Sequence, residues 1–120
     1  MMKTIAGLPD GVVGVEATGE VTAQDYDTVL VPAVARGLEG REKIRFLYQI
    51  DRGFTGFTAG AMWEDVKVGL HQRKDFEKCA VVADAKWILD SVNLFRVLLP
   101  CPVKAFRNDQ LAEAKAWLLP

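Results

Sequence analysis

Cys79-Ala-Val-Val-Ala83 is apolar at every position, and it runs at once into Asp84 and a stretch where Trp87, Ile88, Val92, Phe95 and Leu99 recur at helical spacing before Pro100. A strand with no polar face must be covered on both sides, which parallel sheets achieve with helical crossovers. The pairing of such a strand with such a helix predicts an α/β chain. Lys43 to Ile50 agrees with this reading: Ile44, Phe46, Tyr48 and Ile50 alternate with Lys43, Arg45 and Gln49, and Leu47 makes the second face partly apolar. It reads as a central strand. Val12 to Thr18 places Val13, Val15 and Ala17 on one side, facing a core. A short strand from about Met2 to Ala6 precedes it, joined through Leu8-Pro9-Asp10-Gly11, where Pro pre-sets the turn and Gly takes the left-handed angle.

The helices follow from capping residues and periodicity. Thr22-Ala-Gln-Asp25 has the form of a capping box, with Asp in place of Glu or Gln, and opens a helix whose Tyr26, Leu30, Ala33 and Val34 share a face. Pro32 has no N–H to bond back to Thr28, so a kink is expected there. An Asp51-to-Phe57 loop leads into a second helix with Ala59, Met62, Trp63, Val66 and Leu70, ending near His71. Val103 to Phe106 is a last short strand. Asn108 or Asp109 can cap a final helix carrying Leu111, Ala114, Trp117 and Leu118 on one stripe. The order ββαβαβαβα predicts a mixed five-stranded sheet, an antiparallel N-terminal hairpin followed by parallel strands, with four helices. With 120 residues and no linker-like stretch, a single domain over 1–120 is expected.

Composition narrows the function classes. Fifteen Lys and Arg against sixteen Asp and Glu give a net charge of −1, so no global field draws the chain to nucleic acid or an anionic membrane. The basic residues Arg73, Lys74 and Lys78 are interrupted by Asp75 and Glu77, too weak a patch for nucleic acid. No apolar run approaches the ~18 residues of a membrane helix, and Met1-Met2-Lys3-Thr4 lacks a signal peptide's apolar stretch, so no transmembrane segment and a cytoplasmic protein are expected. The two cysteines, Cys79 and Cys101, have neither CxxC spacing nor a histidine pair to suggest zinc, and their apolar neighbours predict buried thiols. No metal or cofactor is expected.

Thr22-Ala-Gln-Asp-Tyr26 with Pro32, Phe54-Thr-Gly-Phe57, Gly60-Ala-Met-Trp-Glu-Asp65 with Lys67, Leu70 and His71, Ala80-Val-Val-Ala-Asp84 with Trp87, and Ala114-Lys-Ala-Trp-Leu118 together resemble the SpoIIAA-like proteins, small STAS-type domains. The resemblance spans nearly the whole chain. It implies a fold related to anti-sigma-factor antagonists and similar to Sec14-type lipid-binding domains, and hence a protein partner or a small apolar, lipid-like ligand. The phosphorylatable Asp-Ser-Ser-Gly-like motif of true antagonists is absent, since the equivalent region reads Gly-Phe-Thr-Gly-Phe-Thr-Ala-Gly. Thr58 is its positional substitute.

Ligands of open α/β sheets bind beyond the carboxyl ends of the strands. The segment from Asp51 to Trp63 is expected there, with Phe54, Phe57 and Trp63 as apolar walls and Asp51, Thr55 and Thr58 as a polar rim. The same residues also suit a plain strand-to-helix connection in which both Phe side chains turn inward and Thr58 caps the helix. Phosphorylation of Thr58 or Thr55 at the helix start is the regulatory alternative. Asp65, Lys67 and His71 form either a polar partner surface or a solvated helix face. Asp84 reads as the N-cap of its helix, or as one of two acids, with Asp51, at adjacent strand ends. No Gly-Lys-Ser/Thr follows the glycines, and no coherent catalytic set emerges, so a non-catalytic binding or regulatory module is expected ahead of a small hydrolase. The 86–98 helix is apolar around much of its circumference, which suits a homodimer interface as well as burial on two sides.

Overall fold

Alternation along the middle of the chain produces the longest strand of a five-stranded sheet. The computed structural model describes residues 1–61, 75–86, 88–90 and 101–119. The strands are β1 (Met2–Thr4), β2 (Val12–Val21), β3 (Ile44–Phe57), β4 (Phe76–Val82) and β5 (Val103–Phe106), and they lie side by side in sequence order. β1 pairs antiparallel with β2, with Met2 opposite Ala17 and Thr4 opposite Val15, and every later pairing is parallel. The hairpin turn closes with the Val12 N–H on the Pro9 carbonyl at 3.1 Å, and Gly11 takes φ +85°. Among the described residues, no helix is long and apolar enough to cross a membrane.

β3 is longer than its alternation suggests. The Asp51-to-Phe57 stretch, expected as a loop, continues the strand because β2 also runs on and offers it a partner: Gly19 lies opposite Phe54, Glu20 opposite Gly56 and Val21 opposite Phe57. From Ala17 and Ile50 to Gly19 and Phe54, β3 advances further than β2, so it bulges. Gly19 (φ +58°) and Gly56 (φ +152°) adopt the angles that make the re-registering possible. These glycines interrupt the apolar pattern, which hides the strand from a periodicity argument.

The first helical stretch begins with the expected box: Asp25 N–H donates to Thr22 Oγ1 at 3.3 Å, and Thr22 N–H donates to Asp25 Oδ2 at 2.9 Å. α1 (Ala23–Asp25) passes into a π-helical turn, Tyr26–Leu30, and then α2 (Val31–Gly37). The disturbance expected at Pro32 takes the form of this widened turn, in which the Val31 N–H reaches back to the Tyr26 carbonyl. Pro32 thereby falls in the first turn of α2, where a missing N–H costs least. Further helical residues follow β3 at 59–61 and β4 at 86 and 88–90. After β5, a 3-10 turn (Asn108–Gln110) leads to α3 (Leu111–Trp117).

Both faces of the sheet are covered. On one, Val15, Ala17, Phe46, Tyr48 and Ile50 pack with Tyr26, Leu30 and Val34 of the first helical stretch, with Ala61, and with Ile88. Inside this core the Tyr26 and Tyr48 hydroxyls lie 3.0 Å apart. On the other face Leu47, Ala80, Val82 and Phe106 pack with Ala114 and Leu118, flanked by Ile5, Leu8 and Val12 of the hairpin. Adjacent parallel strands joined by right-handed crossovers place successive helices on one side of the sheet. The helix after the last strand is left to cover the other.

Contact between α2 and β2 leaves no room for a side chain at Gly37, where an added Cβ would stand 2.2 Å from Val13 Cγ2. Val13 is β-branched and stiff, so the overlap outweighs the ~1 kcal/mol that Ala adds to a helix. Gly37→Ala is expected to lower stability by about 1–2 kcal/mol in urea denaturation, and Val13→Ala in the same chain to relieve part of that loss. Gly53→Ala, with nothing within 4 Å of the added atom, is expected to change stability by no more than ~0.5 kcal/mol.

Candidate functional site

The carboxyl ends of the parallel strands diverge between β4 and β5. The chain leaving β4 turns to the face of the larger core, where Ala85, Ile88 and Leu89 pack, whereas the chain leaving β5 carries Leu111, Ala114 and Leu118 to the opposite face. Such a fork is where open α/β sheets form a crevice. Here it is spanned by side chains. Asp84 Oδ1 accepts the Asn108 backbone N–H at 3.0 Å, and Asp84 Oδ2 accepts Arg52 Nε–H at 3.0 Å. Asn108 Nδ2–H donates to the Ile50 carbonyl at 3.0 Å, and Gln49 Nε2–H to Asn108 Oδ1 at 3.4 Å. Asn108 therefore ties β3, at the point where its pairing with β4 stops, to the connection after β5, and Asp84 ties the end of β4 to both.

One capping expectation is corrected by this arrangement. Asp84 directs its oxygens to Asn108 and Arg52, and among the described residues the turn that follows it closes on the Ala85 carbonyl through Ile88 N–H at 3.1 Å. Neither Asn108 nor Asp109 caps the last helical segment. Asn108 is drawn across the sheet by the carbonyl of Ile50, Asp109 meets Arg107 Nε at 3.3 Å, and Gln110 Oε1 takes the Arg107 N–H at 3.0 Å. A carbonyl on β3 beyond the ladder with β4 needs a donor, and the Asn108 amide meets that need.

The aromatic half of the edge lies on the last residues of β3, beside the end of β2. Phe54 and Phe57 are three residues apart and would point to opposite faces of a regular strand. The bulge around Gly56 resets that parity, so their rings meet at 4.8 Å between centroids, tilted by 59°. Both are half-buried against the larger core. Thr58 Oγ1 accepts the Ala61 N–H at 3.1 Å and so caps the helical turn that starts at 59, while its own N–H donates to the Val21 carbonyl at 2.9 Å. Thr55 is exposed. Asp51 is half-buried and accepts the Arg52 N–H at 2.9 Å, and Asp84, its conjectured partner acid, turns to Arg52 and Asn108.

The structure thus brings Phe54, Phe57 and Thr58 together, with Thr55 and Asp51 on the same strand. Trp63, Asp65, Lys67 and His71 lie outside the described residues, as does most of the 86–98 helix. Sequence reasoning missed Gln49, Arg52 and Asn108. Their roles arise where β3 passes the ends of β4 and β5, and nothing in their local spacing announces them.

Electrostatically the polar half is an exposed network. The Asn108 N–H holds the Asp84 carboxyl below its ordinary range, desolvation opposes it, and Arg52 lowers it further. Arg52 is 76% exposed and Asp84 37%, so the ion pair is screened and contributes at most about 1 kcal/mol. Its work is positional: it links β3 at Arg52 to the chain leaving β4 at Asp84.

Comparison with known proteins follows the same outline. The SpoIIAA-like family profile matches residues 12–119. The crystal structure of an uncharacterized protein from the DUF3478 family with a SpoIIAA-like fold, from Shewanella loihica PV-4, superposes with a TM-score of 0.78 at 23% identity, covering 99% of this chain and 93% of that one. No curated protein matches the sequence.

A carboxyl whose pKa is depressed on folding stabilises the fold above its unfolded value and loses that contribution as pH falls through the folded one. The Asn108 amide resonance is therefore expected to titrate with a midpoint below 3.8, the ordinary value for Asp84, and Asp84→Asn to abolish the transition. A midpoint at or above 3.8 contradicts the arrangement.

Proposed function

The chain belongs to the SpoIIAA-like family, and from that premise we propose that it is a non-catalytic STAS-type binding module whose carboxyl edge receives a protein partner or a small apolar, lipid-like ligand. The observation that carries this reading is the half-buried Phe54 and Phe57 pair, brought together by a bulge near the end of β3 with the exposed Thr55 between them in sequence. Aromatic rings held against the core provide apolar contact at low entropic cost, with a polar rim to orient what binds. Asp51 and Thr58 complete that rim. The resemblance to Sec14-type domains supports an apolar guest, and the resemblance to anti-sigma-factor antagonists supports a protein.

Native mass spectrometry and solvent extraction of the full chain, purified from the cells that express it, are expected to reveal an associated apolar molecule or protein. Thr55→Arg introduces a charge at an exposed position next to Phe54, so it is expected to lower that occupancy by about tenfold without moving the melting temperature. Equal occupancy in both chains removes this edge as the binding site.

A regulatory reading finds support in Thr58. Its oxygen already accepts the Ala61 N–H at 3.1 Å, and a phosphate placed there keeps an acceptor at the same N–H. Intact-mass analysis of protein from its native host is expected, on this reading, to show a species about 80 Da heavier that Thr58→Ala eliminates. A single unmodified mass under all growth conditions excludes it.

A further inference from the structure

Away from the carboxyl edge, toward the amino ends of β3 and β5, the two cysteines come together. Cys79 Sγ and Cys101 Sγ are 3.8 Å apart, about 1.8 Å more than a disulfide bond length. Both are only partly buried, which corrects the expectation of buried thiols: Cys79 lies on β4, opposite Phe46 and Val103, and Cys101 precedes β5 at the border of the larger core. The backbone holds them in place. The Cys79 N–H donates to the carbonyl of Pro102 at 3.0 Å, so the residue next to Cys101 is clamped to Cys79.

The setting favours a thiolate. The hydrogen bond from Cys79 lowers the Cys101 thiol most, burial opposes it, and Lys43 lowers it again, to about 7 from 9.0. A half-open thiol beside a cation and a second thiol has both features of a reactive site, an attacking thiolate and a resolving partner.

We propose that Cys79 and Cys101 form a redox-active dithiol site that reacts with hydroperoxides and closes to an intramolecular disulfide. The Cys101 thiolate attacks the O–O bond, forming S–O as O–O breaks, and the departing oxygen takes up a proton to leave as water or an alcohol. The resulting sulfenic acid is attacked by Cys79 sulfur, S–S forms, S–O breaks, and hydroxide leaves with a proton as water. Two thiols are oxidised to one disulfide and one hydroperoxide is reduced. Because the pair lies apart from Phe54 and Phe57, its chemistry stands or falls independently of the binding reading above.

Treating the reduced full chain with one equivalent of hydrogen peroxide is expected to remove both titratable thiols and lower the intact mass by about 2 Da, within a single chain, reversibly with dithiothreitol. In Cys79→Ser the sulfenic acid has no resolving thiol, so dimedone is expected to label Cys101. In Cys101→Ser the loss of thiol is expected to slow by about tenfold. Unreacted thiols, a dimedone adduct as the main product of the unaltered chain, or an intermolecular dimer overturns the proposal. The mass change of the unaltered chain decides the question alone if either serine variant fails to fold.

Discussion

Everything in this molecule is arranged around the need to cover both faces of β3 and β4. On β3, Phe46 and Tyr48 project to one side and Leu47 to the other, and on β4 Cys79 and Val81 oppose Ala80 and Val82. Leaving either side to water would expose several large apolar groups at a cost of roughly 1.5–3 kcal/mol each. One layer of helices cannot meet that need in a sequentially ordered sheet, because right-handed crossovers return to the same side each time. Leu47, fully buried under Ala114 and Leu118, shows how the other side is closed. The last helix and the N-terminal hairpin close it together.

This division of labour is what creates a fork at the carboxyl edge. If α3 lay with the other helices, the ends of β4 and β5 would run in the same direction, and Asp84 and Asn108 would have no gap to span. Because the chain leaves β5 for the opposite face, two backbone groups beyond the parallel ladder, the Ile50 carbonyl and the Asn108 N–H, take side-chain partners at one place. The Ile50 carbonyl, the Asn108 N–H and the Arg52 guanidinium are joined there through two side chains, Asp84 and Asn108. The polar part of the edge is therefore a consequence of covering the core. The aromatic part is a consequence of a bulge.

The amino side of the sheet has a different character. There the parallel ladder brings β5 against β4 in a register that sets Cys79 opposite Val103, and the two-residue offset to Cys101 places one sulfur near the other. Neither cysteine announces the other in its own sequence context: Cys79 stands in an apolar strand and Cys101 between two prolines. Their proximity depends on a separation of 22 residues being closed by a crossover.

The sequence by itself determined the class of fold, because periodicity and capping are local: the doubly apolar Cys79–Ala83 run, the alternation at Ile44–Ile50, the Thr22 and Asp25 box and the Pro9-Asp10-Gly11 turn each specify their own backbone within a few residues. Those elements also placed Phe54, Phe57 and Thr58 near a helix start after the central strand. What only the tertiary structure decided is how residues from separate strands meet. The extension of β3 to Phe57 depends on β2 reaching Val21, the pairing of the two Phe rings on a glycine bulge, and the roles of Arg52, Asp84 and Asn108 on which face the final helix takes. Strand register and crossover side arise from the whole sheet packing at once, so no single window of sequence contains them.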